Sequence, residues 1–256
     1  MSNESLIPPT YLLENRYLAE SVIKRGRMSE VFAGSDTWSG ELVTIRRLRE
    51  DQMELRDTFL RKGERMFGMP SARLVRAIHM GEDRDGRPFL VTERLTGRGV
   101  EALGLVRWEV AGEITRQAAA VIAEMHLSGL IHGSLEPASF FVAASNAGGS
   151  RVKLLDLGTA KRGATVADDV RALADILQAL LKGDADAAPP VLLELYLPRW
   201  KGARGSEVTA NEMAVELKAL VDASAEGPTS NRAVPGPRVL PKSSVIVFDE
   251  DGYERD

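Results

Sequence analysis

Two short segments concentrate the residue types that do chemistry. The first reads Ile131-His132-Gly133-Ser134-Leu135-Glu136-Pro137-Ala138-Ser139-Phe140-Phe141-Val142, and the second Val152-Lys153-Leu154-Leu155-Asp156-Leu157-Gly158. Asp156 is a carboxylate able to hold a divalent cation, or else to cap the turn before Gly158. Glu136 is a carboxylate able to accept a proton, whereas Ser134 cannot act as a base at neutral pH. Farther upstream, Lys24-Arg25-Gly26-Arg27 crowds three cations around a glycine. They attract phosphate as point charges, or they form a solvated β-turn with long cationic side chains; the residues alone leave the two readings level.

These segments need a scaffold, and the chain has the means to build one. Its 256 residues are 44% apolar, enough to bury a substantial core in one large domain or a two-lobed one. The 33 basic and 37 acidic residues give a formal net charge of −4, so the whole chain lacks the electrostatic footprint of a nucleic-acid binder. There is no cysteine, which removes disulfides and thiolate metal sites and is compatible with a cytoplasmic setting. Met1 to Pro9 has no basic segment leading into a long apolar run, and no stretch approaches the ~18 apolar residues of a spanning helix. The chain is therefore read as having neither signal peptide nor membrane span.

The pattern along the chain predicts an α+β fold. After a polar, Pro-containing lead at 1–15, short strands are predicted at Tyr17–Lys24, Glu30–Asp36 and Glu41–Arg49, then a loose helix over Gln52–Gly68. Strands at Leu74–Met80 and Pro88–Leu95 follow, joined by the turn-rich Glu82-Asp83-Arg84-Asp85-Gly86-Arg87. An Ala-rich helix spans Val106–Ser128 with Gly129 as its stop, and strands at Ser139–Ala143 and Arg151–Leu155 flank the turn Asn146-Ala147-Gly148-Gly149. Helical patterns return at Ala167–Leu181, around Val191–Tyr196 and at Ala210–Ala223. Residues 224–256 read as a flexible acidic tail containing the β-prone run Ser243–Phe248.

The order and content of these motifs resemble the eukaryotic-like serine/threonine protein kinase family, as a degenerate, bacterial-type pseudokinase, from about Tyr17 to Val221. The resemblance implies a kinase-like domain at 16–223, with a β-rich N-lobe carrying one helix at about 16–95 and a shortened helical C-lobe at about 96–223. In that family a His-Arg-Asp-Leu-x-x-x-x-Asn loop carries the catalytic base and Asp-Phe-Gly binds magnesium. Here Ser134 stands at the base, Glu136 at the Lys and Ser139 at the metal-binding Asn, so none of the catalytic set is intact. Loss of a general base alone forfeits about 10²–10⁴ in rate. His126 and His132 read as core residues, and His79 as a strand residue.

The same resemblance assigns residual nucleotide contact to Gly26 and Val31 of a degenerate glycine loop, to Arg46 in Val43-Thr44-Ile45-Arg46, to Thr92, Glu93 and Leu95 of the inter-lobe strand, and to Asp156. Asp156 is also the one metal candidate. ATP and magnesium are thus the cofactors implied, neither being required. Arg46 replaces the family's Lys, and its helix partner is either Lys62, which would oppose two cations, or Glu64, which would form a pair. Only Thr159 to Asp168 separate Gly158 from Asp169, too few for the long activation segment of an active kinase. The expected function is a regulatory or scaffolding pseudokinase with a protein partner. The alternative is an atypical Mg-ATP-dependent kinase that has recruited Glu136 as its base. A third reading has the run at Ser243–Phe248 adding as a strand to a partner's sheet.

Overall fold

In a computed structural model, the structure describes residues 11–69, 71–104, 106–144, 150–158, 163–183, 187–202 and 207–225. The turn at Asn146–Gly149, the tail run Ser243–Phe248 and most of the segment 224–256 lie outside the described residues. The chain forms two compact units, residues 1–70 with 75–96, and residues 71–74 with 97–256.

The first unit is a six-stranded antiparallel sheet with one helix. Its strands are β1 (Tyr11–Leu13), β2 (Tyr17–Arg25), β3 (Ser29–Asp36), β4 (Leu42–Leu48), β5 (Ala77–Glu82) and β6 (Pro88–Glu93), ordered β1-β2-β3-β4-β6-β5. Strict alternation sorts the side chains of β4: Val43, Ile45 and Arg47 are buried on one face, while Thr44 and Arg46 are half-buried on the other. The first face joins a core of Leu13, Tyr17, Ala19, Phe32, Phe89 and Val91.

The sheet curls until its two edges meet. Glu14, in the β1–β2 turn, hydrogen-bonds His79 of β5 at 2.7 Å, and the His79 ring stacks on Tyr17 with centroids 5.3 Å apart. Glu14 and Asn15 both have positive φ, 46° and 55°. Such a conformation costs a non-glycine residue about 1–2 kcal/mol. Residues 11–13 belong to this sheet and not to the lead that the sequence suggested. A three-residue strand carries too little periodicity to be seen, and here the hairpin to β2 makes it.

Predicted strand and helix limits shift in places. The helix α1 covers Arg56–Gly68, and Glu50–Leu55 before it is a 3-10 segment. The strand predicted from Leu74 begins at Ala77, because Leu74 pairs instead with Leu154 in the second unit.

In the second unit, α2 (Trp108–Leu127), α3 (Val166–Leu180), α4 (Leu197–Trp200) and α5 (Ala210–Ala225) accompany a three-stranded sheet of β7 (Gly97–Gly99), β8 (Phe140–Ala144) and β9 (Ser150–Leu154). Small residues let α2 approach α5 closely. A Cβ on Gly112 would lie 2.8 Å from Val221 Cγ2, and Trp108 Nε1 donates to Ser224 Oγ at 3.0 Å. β7 was not predicted; Gly97 permits it, with φ of 147° and no room for a Cβ beside the Val142 carbonyl. Residues 71–74 are tied here by Leu154 N donating to Arg73 O at 2.8 Å, by Ser71 Oγ donating to Glu124 at 2.6 Å, and by the Arg73–Glu124 ion pair.

Gly34 gives the sharpest test of the curled sheet. A Cβ there would sit 2.2 Å from Leu18 O and 2.9 Å from Ile45 Cδ1. Gly34→Ala is expected to destabilise the protein by about 1–3 kcal/mol, the usual range for overpacking, measured as a shift in the urea midpoint.

Candidate functional site

The motif segment of the second unit is organised by one buried carboxylate. Asp169, 1% exposed, accepts hydrogen bonds from His132 N at 2.9 Å, Gly133 N at 2.8 Å and His126 Nε2 at 2.9 Å. Burial opposes its ionisation, but the bond from His126 and those from the Gly133 and His132 amides outweigh burial, and the carboxyl lies below its ordinary value. Its helix begins earlier than Asp169. Thr165 caps α3, with Asp168 N donating to Thr165 Oγ1 at 3.3 Å and Thr165 N to Asp168 Oδ2 at 2.9 Å. Only residues 159–165 therefore separate Gly158 from the helix.

The loop so anchored presents Ser134 to solvent. Ser139 is buried, its Oγ accepting from Glu136 N at 3.1 Å and its carbonyl from Leu155 N at 2.8 Å. Asp156 Oδ1 accepts from Gly158 N at 2.8 Å and lies 3.4 Å from His132 Nε2. Gly158 has φ of 59°, and a Cβ there would fall 2.4 Å from the His132 carbonyl. No other residue fits that packing.

Among the described residues no group of three or more His, Asp or Glu side chains is placed to hold a metal. Ser139, at the position the resemblance gives to a metal ligand, uses its hydroxyl within its own turn, and one Asp156 oxygen already braces Gly158.

In the first unit three of the remaining candidates, Val31, Arg46 and Thr92, fall on one face of the sheet, while Glu93 pairs with Val43 on the other. Lys24, Val31, Arg46, Leu90 and Met80 are successive register partners across β2, β3, β4, β6 and β5, and directly paired residues share a face. The next row brings Ala33, Thr44 and Thr92 together, with Thr92 buried. Glu93 ends β6, its carboxylate accepting from Arg76 N at 2.8 Å, and Leu95 is half-buried beyond the strand. Gly26 N donates to Ser29 O at 2.9 Å and Arg49 Nη1 to Gly26 O at 3.2 Å, so the cationic turn is braced while Lys24, Arg25 and Arg27 stay exposed.

The two helix candidates differ in burial. Phe59, Gly63 and Met66 are the buried stripe of α1, and Lys62 lies on it at helical spacing, half-buried, whereas Glu64 is exposed.

Residues 23–185, more than half of the 256-residue chain, match the lipopolysaccharide kinase (Kdo/WaaP) family. This chain is a protein-kinase-like member of that family. Among curated proteins it is 32% identical over 162 residues to a probable serine/threonine-protein kinase PknB of Corynebacterium glutamicum, covering 59% of this chain and 24% of that protein. It is 28% identical over 162 residues to the serine/threonine-protein kinase pkn2 of Myxococcus xanthus, covering 61% of this chain and 19% of that protein. The chain thus spans a quarter or less of the length of these relatives. The kinase domain of Mycobacterium tuberculosis PknI, solved as a C20A_R136A double mutant, matches with a TM-score of 0.65 at 18% identity, covering 86% of this chain and 100% of that one. That likeness gives the fold, the protein-kinase fold expected from the motifs.

Within this kinase-family fold, two residues outside the motif list prove central. Asp169 was visible only as a helix residue; its role follows from a contact across 36 and 37 positions of sequence. Arg47, next to Arg46, is buried, with Glu30 at 3.2 Å, Asp83 at 3.5 Å and the Phe32 ring 5.3 Å away. The period-two alternation of β4 was the available signal for it.

Because the Asp169 carboxyl is held low, its ionised form stabilises the fold above the ordinary Asp range, and that contribution is lost as pH falls through the depressed value. Asp169→Asn is expected to cost about 1–3 kcal/mol at pH 7, leaving partners unmatched. The gap to wild type should narrow at pH 3, with denaturant titrations at both pH values as the measurement.

Proposed function

We propose that this protein is a non-catalytic member of its family that acts by binding a protein partner. One observation supports this reading above others: the loop at 132–139 keeps its backbone anchorage on Asp169 while offering only the hydroxyl of Ser134 at the position where the family has its base. A loop that is supported but lacks the base suits a fold kept for its shape. Glu136 is exposed, and as a replacement base it would bring negative charge to a place where phosphoryl transfer needs positive charge. The segment between Gly158 and α3 is too short to form a substrate shelf.

The partner reading draws on exposed apolar surface in the first unit. Leu12, Leu18, Ser35 and Leu42 are register partners in one row, with Leu12 and Leu42 43% and 66% exposed and Trp38, in the turn between β3 and β4, 73% exposed. Large apolar side chains grouped on a surface mark interaction sites. Among the described residues no helix is long and apolar enough to cross a membrane.

The test is a radiolabelled ATP assay with magnesium and generic protein substrates, comparing wild type with Asp156→Ala. Incorporation at background in both is expected. Robust transfer by wild type that disappears in Asp156→Ala would establish the atypical kinase instead.

A further inference from the structure

Glu14, His79 and Tyr17 close the curled sheet where β2 begins; charged side chains gather where β2 ends. Arg25, Glu30, Arg47 and Phe89 are successive register partners across β2, β3, β4 and β6, so they share the face opposite Val31 and Arg46. Arg25 and Glu30 line an open cavity of about 730 Å³ together with Arg49, Glu50, Asp51 and Arg87. Its row is therefore separate from the one that carries the nucleotide candidates Val31 and Arg46.

Two largely buried carboxylates tie the cations of this region together. Glu30 lies 3.3 Å from Arg25 Nε and 3.2 Å from Arg47 Nη2, and Asp83 lies 3.5 Å from Arg47 Nη1 and 3.3 Å from Arg87 Nε. Arg49 donates to Asp51 at 2.8 and 2.6 Å, and its guanidinium is held above its ordinary value first by that bond and last by the charge of Glu30. The acids that complete the charge balance, Glu50, Asp51 and Asp85, are exposed, where water and salt screen them. The Arg25 side chain is 71% exposed, and Arg87 Nη2 reaches Asp85 only at 3.4 Å. A guanidinium has five N–H donors, more than these contacts use.

A ligand that displaces Asp51 or Asp85 must offer more than the charge of one carboxylate. A phosphoryl group on serine or threonine carries about −1.5 to −2 at pH 7, has three acceptor oxygens and matches guanidinium forks bidentately. Three arginines delivered by separate segments of the chain suit those three oxygens.

We propose that this cavity binds a phosphorylated serine or threonine side chain of the protein partner, with Arg25, Arg49 and Arg87 holding the phosphoryl group. The inference rests on the partner-binding reading above and gives that partner its chemistry. Arg47, buried between Glu30 and Asp83, fixes the two carboxylates that hold Arg25 and Arg87.

The experiment measures the fluorescence anisotropy of labelled peptides mixed with the full chain. The probe is a peptide mixture with central phosphothreonine and randomised flanks; matching mixtures centred on threonine or glutamate, and inorganic phosphate as competitor, form the other arms. The phosphothreonine mixture should bind about ten-fold more tightly than either other mixture. Arg25→Gln and Arg49→Gln should each weaken it about ten-fold, and Arg49→Lys, which keeps the charge without the fork, should weaken it less. Asp51→Asn removes a competing carboxylate and should tighten binding about two- to five-fold, a gain that no loss of fold can imitate. Arg84→Gln, exposed in the turn before β6 and outside the cavity lining, should leave it unchanged. Equal binding of the threonine or glutamate mixture, full competition by equimolar inorganic phosphate, no binding in any arm, or binding unchanged in Arg25→Gln and Arg49→Gln overturns the proposal. Phosphotransfer in the preceding assay would overturn the non-catalytic reading, while the anisotropy series still judges this site separately.

Discussion

The motif loop of the second unit depends on one buried anion. Asp169 ties the start of the central helix to His126 near the end of α2 and to two consecutive amides of the motif loop. A buried carboxylate is costly unless every lone pair is used. Here two amides and an imidazole use them, so the ionised group specifies one position for the loop and excludes others. The demand is independent of catalysis: as long as the helix carries Asp169, the loop must come to it. Retention of the loop geometry around Ser134 is then a folding requirement.

The first unit solves a similar problem with more charges. Curling the sheet closes its interior at one end with Glu14, His79 and Tyr17. Elsewhere the buried face of β4 ends in Arg47, set among Glu30, Asp83 and the Phe32 ring. Asp83 also lies 3.3 Å from Arg87 Nε and accepts from the Asp85 and Arg87 amides at 2.9 Å. Such a network gains little net stability, because desolvation cancels much of the attraction. Its effect is on register, since a one-residue slip of β4 would exchange Arg47 for Arg46 and send Val43 and Ile45 outward.

Much of this was legible in the sequence for identifiable reasons. Strong periodicity and terminators revealed the sheet strands and the Ala-rich α2, and ordered motifs revealed the kinase-like fold. β1 and β7 were missed because three residues hold no pattern and their existence comes from pairing. The assignment of Leu74 to a strand of the first unit failed because a local apolar run does not say which sheet it will join. For the site, types and order pointed to Arg46, Ser134 and Asp156, yet spacing could not choose between Lys62 and Glu64. The burial stripe of α1, with Gly63 against Met80, leaves Lys62 half-buried and Glu64 exposed. Asp169 was harder still, because its partners lie more than thirty positions away.

Motif survival therefore has to be weighed against what local structure already demands. Gly158 is fixed by its positive φ and its contact with the His132 carbonyl, and Asp156 braces it through the Gly158 amide. Packing accounts for Gly158, and the Gly158 amide uses one Asp156 oxygen, so survival of the Asp-Leu-Gly motif is not by itself testimony for a metal. Gly26 is similarly explained by the turn to Ser29, where a Cβ would be 3.2 Å from the carbonyl.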